Sequence, residues 1–386
     1  MFKKYDTEVF EKFDNQKNVQ HNIFVLVGNG FDISVLNKFK KGKMNGKTTS
    51  YTDFYDYITY FNLSDDTNIL YEKMKEDRRR GKENWSDFEN TISELFNEHV
   101  SIKELETCID KFQAYFTKFL NELVDAETLL ELSKFVSKNH LSIQSMASFL
   151  KDLGSPDSLR FISKTRHYDL FYYVFANFNY TSLLDNYLYL DKIQFDPHCY
   201  RTVDTHLSFG VNKKKFGSDT RWSSYLVSEI IHPHGTQDIP RSILFGIDLP
   251  EYDKGESQEK RLVKSYWSQY DVKYKSYMEE AELFIIYGMS LGRTDAWWMD
   301  EIFQSILDRD VELIIYKHGD EDRDSIKKMF IDCCIRHVDC SEETKKKVED
   351  NIHVVTFDNN DTYFLGFKVK GRVCERNSVK TSDSKE

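Results

Sequence analysis

An α/β fold is what this sequence predicts: a mostly parallel sheet with helices on both faces and a helical insertion. Three observations predict it. Uninterrupted apolar, β-branched runs recur along the chain, as strands buried on both faces require. Helical periodicity fills the intervals, the alternation that builds a covered parallel sheet. Glycine- and amide-rich motifs fall directly after the apolar runs, where the carboxyl ends of strands in an open sheet take up ligands.

Residues 1–21 mix Phe and Val with charges and read as an N-terminal arm or helix. Asn22-Ile23-Phe24-Val25-Leu26-Val27 is the first strand and stops at Gly28-Asn29-Gly30. No clean helix start follows, so a Lys- and Gly-rich loop is expected to about residue 48. Thr49-Ser50 then caps a helix through Tyr51, Phe54, Tyr57 and Ile58. From about 65 to 165 the pattern is helical and strongly charged. Trp85, Phe88, Ile92 and Leu95 recur at helical spacing there, as do Leu129, Leu132, Phe135 and Val136. This is the predicted insertion.

The run 171–176 is the second strand and leads into Asn177-Phe178-Asn179-Tyr180-Thr181, with a helix resuming at Ser182. Shorter strands are expected over 200–250, Ile230-Ile231 and Ile243–Gly246 among them, and a helix over 256–282. Leu283–Tyr287 is another buried strand and ends at Gly288-Met289-Ser290-Leu291. A helix around 294–307, a strand at 311–316, a helix around 322–335 and a strand at 352–357 complete the alternation. Five prolines and sixteen glycines leave little room for linkers. One domain over 22–370 is therefore expected, with a Ser-, Lys- and Asp-rich tail, 371–386, that reads as disordered.

Of the 386 residues, 40% are hydrophobic, 15% aromatic and 30% charged, enough to fill a large core. The net charge of −11 offers no electrostatic footprint for nucleic acid, and Arg78-Arg79-Arg80 reads as a solvated face. No apolar stretch is long enough to span a bilayer, and no hydrophobic signal core opens the chain, so a cytoplasmic protein without a membrane partner is expected. Cysteines stand at 108, 199, 333, 334, 340 and 374, with no CxxC pair. Cys333, Cys334, His337 and Cys340 crowd together, but adjacent thiols do not match finger spacings, and no metal site is expected.

Four strand ends carry chemistry. Gly28-Asn29-Gly30 is half of a dinucleotide fingerprint, one glycine for the turn and one for close approach of backbone to phosphate, which makes the sheet Rossmann-like. The bland alternative is an ordinary turn. Asp32 would repel a pyrophosphate it faced, so it caps backbone groups or contacts a sugar hydroxyl. Asn177 and Asn179 orient a ribose hydroxyl or a water, or close an Asx turn. His234, beside Pro233 and Gly235, suits a general base near neutral pH. Gly288 and Ser290 offer bare backbone and a hydroxyl, with Asp295 shortly after.

Gly28-Asn29-Gly30-Phe31-Asp32, followed by Thr49-Ser50-Tyr51 and Phe54, resembles the opening motif of the AbiH family of bacterial phage-defence proteins. Trp85-Ser86-Asp87-Phe88-Glu89 resembles their second motif and Asn177–Thr181 their third. His234-Gly235 and the Gly288–Asp295 segment resemble the remaining two. The order is kept over roughly residues 22 to 300. That family is in turn similar to sirtuin-like NAD-binding proteins.

The likeness implies that Gly28 and Gly30 hold phosphate, with Asn29, Phe31, Asp32, Asn177, Thr181, Gly288 and Asp295 around the nucleotide. It implies that Asn179 and His234 are catalytic, that Ser290 contacts the sugar, and that His232, lacking a following glycine, is the weaker histidine. Thr181 stands where sirtuins have an Asp, and their zinc cysteines are missing, which argues against peptide deacetylation. Glu89 has no assignable sirtuin counterpart. One helical turn after Trp85, it would face the cleft with it or form a structural helix pair.

The resemblance thus implies a phage abortive-infection effector that hydrolyses the N-glycosidic bond of NAD+ or a related nucleotide. NAD+ would be substrate or ligand, with no required cofactor, a phage-derived trigger, and homo-oligomerisation left open. Two rivals remain: a nucleotide or ADP-ribose sensor that does not cleave, and an Mg2+-dependent nuclease built on Asp32, Glu89 and Asp295.

Overall fold

A computed structural model describes residues 1–6, 19–64, 68–155, 158–165, 169–191, 225–248, 259–292, 295–358 and 361–369. Six strands form one sheet: β1 (Gln20–Val27), β2 (Leu170–Asn177), β3 (Tyr225–Ile231), β4 (Leu283–Tyr287), β5 (Glu312–His318) and β6 (Ile352–Phe357). All neighbours run parallel, in the order β3-β2-β1-β4-β5-β6. This is the doubly wound order, and the chain reverses its direction of winding between β1 and β4. The central strands are apolar and buried because helices cover both their faces.

Nine helices precede β3 among the described residues. They are α1 (Gly30–Phe39), α2 (Tyr51–Tyr60), α3 (Ile69–Arg80), α4 (Phe88–Asn97), α5 (Ile102–Leu123), α6 (Ala126–Asn139), α7 (Leu141–Ser148), α8 (Arg160–Lys164) and α9 (Leu183–Leu188). Six follow: α10 (Lys264–Trp267), α11 (Tyr270–Lys273), α12 (Lys275–Glu280), α13 (Ala296–Asp308), α14 (Arg323–Cys333) and α15 (Glu342–Glu349). Phe24 of β1 stacks at 6.0 Å on Tyr277 of α12 and at 6.2 Å on Trp298 of α13. On the opposite face Tyr287 of β4 meets Phe31 of α1 at 6.4 Å, and the Tyr173 hydroxyl of β2 donates to the Met146 carbonyl of α7.

Three sequence expectations need correcting. The loop expected after Gly30 is helix α1. Phe31, Val35, Leu36 and Phe39 make its buried face. Its start is hard to read because Asn29 gives no side-chain cap; that amide donates instead to the Thr49 carbonyl. The helix expected over 256–282 is, where described, a 3-10 turn (Glu259–Leu262) and three short helices, interrupted at Gln269, whose φ of 56° is left-handed. Ile243–Gly246 is not a strand; only an isolated bridge, Ile247 to Val263, follows it. The expected tail, 371–386, lies outside the described residues.

The helices before β2 divide their work. Helices α6 and α7 pack with α1 and α9 as part of the layer on the sheet. Helices α2, α4 and α5 instead reach over the carboxyl edge of β1. Ser50 caps α2, its hydroxyl oxygen accepting from the Asp53 amide. Among the described residues, no helix is long and apolar enough to cross a membrane.

Candidate functional site

The loops after β1 and β4 touch backbone to backbone. The Gly28 N–H donates to the Tyr287 carbonyl and the Gly30 N–H to the Gly288 carbonyl, both at 2.9 Å. A Cβ added at Gly30 would stand 2.8 Å from the Gly288 Cα, and one at Gly28 would stand 2.6 Å from the Met289 side chain. Gly288 also has a φ of 65°. Close approach of two loops therefore accounts for all three glycines. The N–H groups of Gly28 and Gly30, expected to cradle phosphate, are thus spent inside the fold, and the Phe31 N–H is spent on the Gly28 carbonyl.

Above this floor lies a cavity of about 490 Å³, within the ordinary range for small-molecule sites. Asn29, Asp32, Asn179, Thr181, His234, Ser290 and Asp295 reach it from four strand ends, and Glu89 reaches it from α4. Tyr51, Phe116 and Leu120 of α2 and α5 form its roof. Distant segments thus share one crevice at the switch point of the sheet, as doubly wound folds arrange it.

Some candidates serve other ends. Phe31 is fully buried beneath the crevice, edge-on to Tyr187. Asn177 closes an Asx turn, accepting from the Asn179 N–H at 3.1 Å and donating to the Thr181 carbonyl. Trp85 precedes α4, packs edge-on against Tyr55 at 5.0 Å, and carries the Arg78 guanidinium 4.7 Å above its ring. It does not line the crevice with Glu89. His232 lies outside the crevice too, its Nε2 3.0 Å from Asp185.

The remaining side chains form a buried charge cluster around a residue that sequence reasoning missed. The Lys264 ammonium is 2.9 Å from Asp295 Oδ1 and 3.3 Å from Glu89 Oε1. Burial opposes its charge, but Asp295 and Glu89 more than compensate and raise its pKa. Burial pushes Glu89 up to about 7, against the pull of Lys264 and with the help of Asp295 and Asp87. Asp295 goes the other way: Lys264 and His234 outweigh its burial and hold it below its usual range. The Tyr51 hydroxyl donates to Glu89 Oε2 at 3.1 Å. Two carboxylates beside one ammonium are thereby driven apart in acidity, the pattern of an acid–base pair.

His234 is buried edge-on against Phe178 at 5.0 Å, with Nε2 3.3 Å from Asp295. Burial first, and then the Lys264 charge, depress it to about 4 despite Asp295, so the ring is neutral at pH 7. Asn179 donates from Nδ2 to the Gly28 carbonyl at 3.1 Å, tying the β2 loop to the β1 loop. Asp32 accepts from the Thr181 hydroxyl at 2.7 Å, while its other oxygen is buried with no hydrogen-bond partner among the described residues. Burial pushes Asp32 up to about 7, with Thr181 opposing.

Lys317 and His318, at the end of β5, complete the lining and were also missed. Their position directly after an apolar run was a usable signal, the same one that marked the glycine motifs. Lys264 had none, because its segment reads as surface helix. Cys333 and Cys334 donate to the Phe330 carbonyl at 3.1 and 3.2 Å. Among the described residues no group of three or more His, Cys, Asp or Glu is arranged to hold a metal.

A family model described as Bacteriophage abortive infection AbiH matches residues 24–317, a span that runs from β1 into β5 and encloses nearly all of the crevice lining. No curated protein matches the chain.

Proposed function

The chain belongs to the AbiH family of bacteriophage abortive infection proteins, and from that premise we propose that it acts in abortive infection by hydrolysing the N-glycosidic bond of NAD+ or a related nucleotide. One observation carries the reading: a nucleotide-sized crevice at the sheet's switch point holds two carboxyl groups of opposed acidity around Lys264.

In this reaction water adds to the anomeric carbon of the ribose as its bond to the nicotinamide nitrogen breaks. Nicotinamide leaves neutral and needs no acid, so the enzyme must stabilise an oxocarbenium-like ribose and remove a proton from water. Asp295, held ionised, supplies negative charge beside the ribose. Glu89, near 7, takes the water proton. Asn179 and the neutral His234 flank the sugar, Asn179 orienting its hydroxyls and His234 accepting from one of them, the catalytic pair that sirtuin likeness suggests.

Neither rival draws comparable support. A nuclease would want Mg2+ between Glu89 and Asp295, where the chain's own ammonium sits. A sensor would have no use for carboxyl groups of opposed acidity. The test is to incubate purified protein with NAD+, with and without lysate of phage-infected cells, and follow nicotinamide release. Wild type should release nicotinamide and ADP-ribose, and Asn179→Ala, His234→Ala and Glu89→Gln should each lose most of that rate. Release surviving all three substitutions would overturn the assignment. ADP-ribose binding with no turnover in either condition would hand it to the sensor.

A further inference from the structure

If the glycine loop does not hold phosphate, another part of the crevice must. Three of that loop's backbone donors are spent inside the fold: Gly28, Gly30 and Phe31 donate to Tyr287, Gly288 and Gly28 respectively. The wall built from α4 and the segment before α13 is acidic, with Asp87, Glu89 and Asp295 facing inward. A phosphate placed there would meet like charge in a partly desolvated site. Across the crevice the polarity reverses.

Lys317 and His318 stand at the carboxyl end of β5, partly buried and exposed respectively. Among the described residues Lys317 has no carboxylate within ion-pair distance, so its ammonium is available to a ligand. A second cavity of about 450 Å³ adjoins the first, sharing Gly30, Gly288 and His318 and walled by Phe357 and Phe367. His318 is thus common to both chambers, and its ring meets Phe357 edge-on at 5.7 Å.

Resting on the nucleotide reading above, we propose that Lys317 and His318 form the anion subsite of this crevice, taking the diphosphate of a dinucleotide whose scissile ribosyl bond lies at the acidic wall. The diphosphate then bridges the two chambers, and the second nucleoside occupies the one walled by Phe357 and Phe367. A lysine serves here as a point charge and the imidazole as an N–H donor. The sheet presents both from one strand end, so the subsite needs no rearrangement of the glycine loop.

The experiment titrates ADP-ribose, and separately adenosine, into wild type, Lys317→Met, Lys317→Arg and the double variant Lys317→Met/His318→Gln by calorimetry. NAD+ turnover is followed in parallel. ADP-ribose affinity should fall about tenfold in Lys317→Met and further in the double variant, as loss of a charge-assisted contact implies. Adenosine affinity should hold, and Lys317→Arg should restore most of the loss. In turnover Lys317→Met should raise KM and spare kcat, the mark of a contact made equally in ground and transition states. Unchanged ADP-ribose affinity and KM in the double variant, with turnover intact, would overturn this subsite alone. A wild-type protein that neither binds ADP-ribose nor cleaves NAD+ would overturn both readings. Equal melting temperatures establish that the variants fold, which substitution at an open strand end should permit.

Discussion

The two ends of the central strands treat histidine in opposite ways. At the amino ends, His21 of β1 lies between Asp169, just before β2, and Glu282, just before β4, with its ring nitrogens 3.0 and 2.8 Å from their carboxylates. Burial pulls its pKa down, but the two hydrogen bonds more than offset this and leave it at about 9. At the carboxyl ends, His234 is equally buried and is depressed to about 4 beside Lys264. His21 staples three strands with both its nitrogens answered. Around His234 acidities are displaced, and nearby Asp32 keeps an oxygen without a hydrogen-bond partner among the described residues. A charge network built to hold the sheet satisfies its members, and one lining an open cavity leaves capacity free.

The strongest way to break this contrast is at Glu89. Glu89→Gln should keep the fold and lower glycosidic turnover by about 10²–10⁴-fold, the usual worth of a general base. Because Glu89 must be ionised to accept a proton, and burial sets its pKa near 7, the wild-type rate should climb from pH 6 to 8 and then level off. A flat profile over that range would remove Glu89 from the base role.

At the closed end the expected effect is on stability. The folded pKa of His21 stands above the ordinary 6.5, so its contribution is full below 6.5 and is lost as pH rises through 9. The shift corresponds to roughly 3 kcal/mol. Urea unfolding of His21→Gln should show most of that deficit at pH 6 and little of it at pH 9.5. His234 has the reverse sign: depressed to about 4, it stabilises the fold above 6.5 and ceases to do so as pH falls through 4. An identical deficit for His21→Gln at both pH values would mean the staple is not ionic.

Smaller effects are expected at the floor of the crevice. Gly30→Ala drives a Cβ to 2.8 Å from the Gly288 Cα, which is backbone and cannot turn aside. About 1–3 kcal/mol of destabilisation should follow, with weaker nucleotide binding as the loops part. Gly292→Ala is the control, since its Cβ would meet only the Ser290 hydroxyl at 3.4 Å. Equal thermal shifts in the two variants would refute the close-packing account.

Most of the architecture could be read from periodicity, because four of the six strands are apolar runs buried along most of their length and β6 buries four of its six residues. The sixth, β3, is an edge strand with one buried residue followed by six half-buried ones, so neither alternation nor a solid apolar run marks it. Helix α1 was missed because it opens on Gly30, a poor helix former, although Asn29 is a residue type favoured at the cap. In the crevice, the segments at strand ends were legible because a parallel sheet gathers such ends together. Lys264 was not, since its value comes from Asp295 and Glu89, 31 and 175 positions away. The close contact between the glycine loops was hidden for a related reason. Sequence reveals that bare backbone is needed, and only the fold reveals what approaches it.

Trp85 gives the smallest prediction and the clearest test of helical spacing as a guide to function. Four residues before Glu89, it would share the Glu89 face of a helix if the helix reached back that far. Helix α4 begins at Phe88 with Asp87 as its cap, so Trp85 lies in the preceding turn and its ring goes to Tyr55 and Arg78. Trp85→Leu should therefore cost about 0.5–1 kcal/mol through the lost cation–π contact and leave ADP-ribose affinity within twofold of wild type. A large loss of affinity with little loss of stability would return Trp85 to the crevice, and would mean that α4 lengthens by a turn when a ligand binds.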